Sequence, residues 1–72
     1  MEKINEIIIK TLKVSNDEVE KDLTMADVAR WDSLTHMDLI VTIENELDIQ
    51  LTGDDIADMI TFDSIRRVVA KY

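Results

Sequence analysis

The sequence predicts an all-α fold: a small four-helix bundle with a long first loop and a short third helix. Apolar residues recur at helical spacing in several stretches, and none of them alternates cleanly as a strand would. Helix breakers are scarce, with no Pro and one Gly in 72 residues. The chain is 46% hydrophobic but only 4% aromatic, so it reads as globular with a mainly aliphatic core. Its length suits one domain spanning residues 1–72 and is too short for two.

Each element has its own signal. Ile4, Ile7, Ile8 and Leu12 share a face, while Glu6, Lys10 and Lys13 fall largely elsewhere, which predicts a first helix over residues 3–13. Residues 14–31 lose the pattern. This connection is longer than most loops, and Val19, Leu23, Met25 and Val28 are expected to pin it. Within it, residues 24–29 suggest one turn of helix. The strongest helix runs from Ser33 to Leu47, with Asp32 or Ser33 as N-cap. A polar link leads past Gly53 to a brief helix at 54–59 with acids at its start. Thr61 is placed to cap a last helix over 62–70, whose Arg66, Arg67 and Lys71 lie toward the end that favours cations.

Eight Lys and Arg against sixteen Asp and Glu give a formal charge of −8. Such a chain lacks the basic patch that nucleic acid or anionic lipid would require, so neither is an expected partner. The charges are also segregated. Between Trp31 and Ile65 stand Asp32, Asp38, Glu44, Glu46, Asp48, Asp54, Asp55, Asp58 and Asp63, with no Lys or Arg among them. No apolar run approaches the roughly 20 residues of a membrane span, and the opening residues are charged rather than signal-like. A cytoplasmic monomer is expected. Without Cys there is no disulfide, thiolate metal site or thiol nucleophile.

At about 100° per residue, the Ser33–Leu47 helix carries two apolar stripes. Leu39, Ile40, Ile43 and Leu47 form a broad one suited to the core. Leu34, Met37 and Val41 form another, more than a quarter-turn away, with Ser33, Glu44 and Asp48 near or within it. The second stripe either packs against the loop or short helix, or serves as a docking surface with apolar anchors and an acidic margin. Ser33 is either a simple cap or a site for a covalent phosphate, because a helix N-terminus favours an anion.

Trp31-Asp32-Ser33-Leu34, continued by Thr-His-Met-Asp-Leu-Ile-Val-Thr-Ile-Glu-Asn-Glu-Leu to Leu47, resembles the signature of acyl carrier proteins. The likeness extends over nearly the whole chain in helix order, length and charge. It implies that Ser33 bears a 4′-phosphopantetheine arm, transferred from coenzyme A by a phosphopantetheinyl transferase that supplies its own Mg²⁺. The arm's thiol would carry acyl or aminoacyl cargo as a thioester, which is how a chain without Cys could serve thiol chemistry. Asp32 matches the acid before the serine. Leu34, Met37, Asp38, Val41 and Glu44 match the helix face met by loading ligases and synthases with basic docking surfaces. The resemblance also implies that cargo can tuck between the helices. Bacterial fatty-acid carriers usually have a small residue before Asp-Ser-Leu and an acid after it. Trp31 and Thr35-His36 stand there instead, more as in specialised stand-alone carriers.

Other chemistries find little support. Asp48, Gln50, Thr52 and Gly53 mimic the start of a calcium loop, but its twelfth position is Met59 where a bidentate Glu is needed. Ser33 and His36 lack an orienting third group, and the helical projection turns His36 toward the core. One His among scattered carboxylates makes no metal site. No catalytic role is therefore expected of the chain itself. The alternative to a carrier is an unmodified acidic helical module for protein interaction.

Overall fold

The computed structural model of the protein describes residues 2–72. Its helices are α1 (Glu2–Leu12), α2 (Asn16–Val19), α3 (Ser33–Leu47), α4 (Gly53–Asp58) and α5 (Phe62–Val69). The four expected helices are α1, α3, α4 and α5, and the all-α class is as read. An additional single turn, α2, interrupts the long loop. Ser15 and Glu18 create it: the Ser15 hydroxyl accepts from the Glu18 N–H at 3.1 Å, and the Glu18 carboxylate accepts from the Ser15 N–H at 2.9 Å.

The turn of helix expected at residues 24–29 does not form; these residues make turns instead. The Asp27 carboxylate accepts from both the N–H and the hydroxyl of Thr24, at 2.9 and 3.1 Å. Thr24 is also held extended in an isolated antiparallel bridge with Thr61. The Met25 N–H donates to the Ile60 carbonyl and the Phe62 N–H to the Leu23 carbonyl, both at 3.0 Å. These bonds tie the start of the segment to the α4–α5 link in extended form, and the Asp27 N–H closes a turn onto the Thr24 carbonyl at 2.9 Å.

Helix α1 packs chiefly on α3, and α4 on α5. The core combines Ile4, Ile8 and Leu12 of α1, Leu39, Ile40 and Ile43 of α3, and Met59, Phe62, Ile65 and Val68 from the last third of the chain. Val14, Val19 and Val28 are buried beneath the loop, with Leu23 and Met25 packed partly against the core, so the connection is pinned as expected. Arg66 braces it, donating to Asn5 Oδ1 at 3.1 Å, the Val19 carbonyl at 3.0 Å and Asp63 Oδ1 at 3.1 Å. Two helices end in left-handed backbone without a Gly to take it. Lys13, just past α1, and Asp48, capping α3, take left-handed backbone at φ 58° and 54°, a region Asp tolerates better than most residues.

Folding partly neutralises the acidic window. Glu46 meets Lys3 and Lys10 of α1, Asp63 meets Arg66, and Asp55 meets Lys71 at 2.8 Å. Asp55 is buried, completes the Thr52 cap of α4 and also accepts from the Tyr72 hydroxyl. The Lys71 ammonium, then the Tyr72 hydroxyl, hold its carboxyl far below the usual carboxylate range. A depressed folded-state pKa stabilises above the unfolded value of about 4 and loses that contribution as pH falls further. The melting temperature should therefore drop on acidification below about pH 4. Asp55→Asn should melt lower than wild type at pH 7, with the gap closing as the pH approaches about 2. A gap that persists undiminished in acid would show that the clasp does not depend on charge.

Candidate functional site

The site begins at the helix start that the sequence singled out. Asp32 is the N-cap of α3, with extended backbone at φ −113° and ψ −173°. Its Oδ1 accepts from the Thr35 N–H at 2.9 Å and from the Thr35 hydroxyl at 3.0 Å. The bond to the Thr35 N–H is the main reason its carboxyl lies below the ordinary range. With Asp32 as the cap, Ser33 occupies the first helical position. It is exposed, and among the described residues nothing hydrogen-bonds its hydroxyl. Capping is thus the task of the residue before it, and the serine hydroxyl is left exposed outside the cap.

The surroundings suit a phosphate ester. The first turn of α3 carries no acidic side chain, and the N–H groups of a helix start favour an anion. Both bonds to Thr35 fall on Asp32 Oδ1, and the Asp32 side chain is exposed.

The two stripes of α3 separate cleanly. Leu39, Ile40 and Ile43 are fully buried, with Leu47 packed partly against them. On the other face Leu34 is 80% exposed, Met37 50% and Val41 49%. The second stripe therefore packs against neither the loop nor α4. Asp38 is exposed beside it. Glu44 is half-buried, with Oε2 accepting from the Leu51 N–H at 2.8 Å, so one of its oxygens anchors the link after α3. Ile60, 51% exposed after α4, is a further apolar surface residue that the helical projection of α3 had no means of finding.

Next to the serine lies a buried relay. The Trp31 indole is 3% exposed and stacks on the Phe62 ring at 5.4 Å between centroids, with the planes 16° apart. Its N–H donates to His36 Nδ1 at 3.0 Å. An indole can only donate, so Nδ1 is the unprotonated nitrogen, and Nε2–H donates to the Ile56 carbonyl at 3.2 Å. His36 is a satisfied core residue, as its helical position implied. Its two partners join the loop before Ser33 to α3 and α4.

A family model for the phosphopantetheine attachment site matches residues 2–71. The chain belongs to the acyl carrier protein family. An acyl carrier protein of Karelsulcia muelleri is 36% identical over 73 residues, covering all of this chain and 87% of that one. One from Chlorobium phaeobacteroides is 33% identical over 54 residues, 75% of this chain and 69% of the relative. One from Clostridium perfringens is 35% identical over 54 residues, 75% and 71% of the two chains. This acyl carrier protein is thus a carrier rather than an enzyme, and its cofactor is covalently bound 4′-phosphopantetheine. No described helix is long and apolar enough to cross a membrane.

Proposed function

We propose that this acyl carrier protein bears its arm on Ser33 and hands acyl or aminoacyl thioesters between partner enzymes of a biosynthetic pathway. The carrying observation is the exposed Ser33 hydroxyl, released from capping by Asp32 at a helix start whose first turn adds no acid to that capping carboxylate. In the modification, Ser33 Oγ loses its proton to the transferase and forms a phosphodiester with the phosphopantetheine of coenzyme A, whose 3′,5′-ADP portion leaves. The arm's terminal thiol supplies the thioester chemistry. Asp32, kept ionised by its hydrogen bonds to Thr35, helps orient the transferase's Mg²⁺–phosphate donor.

Leu34, Met37 and Val41 anchor the partners, and Asp38 draws their basic surfaces in, with Glu44 at the far margin. The chain acts as a single carrier domain over residues 1–72, as a monomer in the cytoplasm, beside dedicated loading ligases or synthases. Trp31 and Thr35-His36 around Asp-Ser-Leu favour a specialised stand-alone role over housekeeping fatty-acid synthesis.

Intact mass after incubation with coenzyme A, Mg²⁺ and a broad-specificity phosphopantetheinyl transferase tests the reading. Wild type should gain one phosphopantetheine and Ser33→Ala none. Because Ser33 is not the cap, Ser33→Ala should melt close to wild type, well short of the about 1 kcal/mol loss of a true cap. Addition to the Ser33→Ala protein would move the site elsewhere. No addition to wild type, with a transferase active on another carrier, would favour an unmodified acidic interaction module.

A further inference from the structure

We infer that this carrier keeps its cargo outside the bundle and serves short or polar acyl groups, because the Trp31–His36–Ile56 relay locks the interior beside Ser33. The inference rests on the Ser33 assignment. The core residues that flank Ser33 in the chain are Trp31, two residues before, and His36, one turn after, and these touch Phe62 of α5 and the Ile56 carbonyl of α4. Parting α3 from α4 there separates His36 Nε2 from the Ile56 carbonyl. Displacing the indole breaks its bond to His36 Nδ1 and its stack on Phe62.

The second step breaks a buried polar pair and the first a part-buried one, each a larger loss than never having formed the bond. Behind the relay the space is already filled: Leu39, Ile43, Met59 and Phe62 are fully buried. Surface grooves lie elsewhere, among them one between α1 and α3 along Lys3, Ile7, Lys10 and Glu46, one along the first loop from Leu12 to Arg30, and a polar one at the end of α3 from Glu44 to Gln50. A long alkyl chain therefore finds no apolar berth next to its attachment point. A short or polar acyl group, which gains little from burial, loses nothing by staying in solvent.

The test loads the intact protein with acetyl- and octanoyl-phosphopantetheine, using a phosphopantetheinyl transferase with the corresponding acyl-coenzyme A, and verifies each by mass. The two forms should melt within about 1 °C of one another, with the same emission maximum from Trp31, the sole tryptophan. An octanoyl form that melts several degrees higher, or shifts Trp31 emission, has buried its chain and overturns the inference while leaving the Ser33 reading intact. Failure of both acyl arms to attach would overturn the Ser33 reading and this inference together. In Trp31→Leu the lock is removed, so the octanoyl form should now melt higher than the acetyl form. Trp31→Phe, which keeps a ring against Phe62 but loses the N–H, serves the same comparison if Trp31→Leu does not fold. Equal melting of the two forms in the variant that folds would overturn the relay as the cause.

Discussion

Phe62→Ala should leave the protein largely unfolded at room temperature. Phe62 is fully buried, opens α5 and carries the face on which the Trp31 indole stacks at 5.4 Å. Its N–H donates to the Leu23 carbonyl, so the residue also ties the long loop to the last helix. Truncating a buried Phe to Ala costs about 3–5 kcal/mol in transfer and cavity terms. A domain of this size has roughly 3–5 kcal/mol in total from a single core. The two quantities are comparable, and a chain without Cys has no disulfide to hold it together. Loss of helical circular dichroism, with Trp31 emission moving to the wavelength of exposed indole, is the expected result. A cooperative melt within a few degrees of wild type would mean that the stack is dispensable and that the loop is held by its backbone bonds alone.

What the sequence revealed and what it hid follow one physical division. Features decided within a helix were legible. The two stripes of α3 could be separated by projection, and the exposures of Leu34 and Leu39 fall on opposite sides of it. The core position of His36 came from the same projection. Features decided across the chain were not. The acceptor for His36 is the backbone carbonyl of Ile56, twenty residues away, and no side-chain pattern announces a carbonyl. In the sequence Asp55 is one of the nine acids between Trp31 and Ile65, and only the fold brings Lys71 and Tyr72 onto it. The choice between Asp32 and Ser33 as cap turned on the backbone. Asp32 is extended and Ser33 already helical, and residue preferences could not separate two good capping types in adjacent positions. The start of α2 is a local feature too: Ser15-x-x-Glu18 is a capping box written plainly in the sequence.

Leu34→Ala should cost function without costing the fold. Leu34 follows Ser33, is 80% exposed and touches too little of the core for its truncation to shift stability by more than about 0.5 kcal/mol. An apolar side chain held on a helix in water, one residue from the proposed attachment serine, has the properties of an interface anchor. Anchors of this kind contribute 2 kcal/mol or more when buried by a partner, or about thirtyfold in the rate constant for a partner reaction at low substrate. The expected outcome is a fall of tenfold or more in kcat/KM for phosphopantetheine transfer, with an unchanged melting temperature. Asp38→Asn should behave differently, because a charge at the margin of an interface governs encounter rather than retention. Its loss should lower kcat/KM modestly at low ionic strength, with the difference shrinking as salt shortens the screening length to about 8 Å and below. If Leu34→Ala leaves the transfer rate unchanged while Met37→Ala and Val41→Ala reduce it, the transferase docks further along α3, away from Ser33. If all three are silent, the exposed stripe is not the transferase's landing surface, and its apolar residues await a partner that acts after the arm is in place.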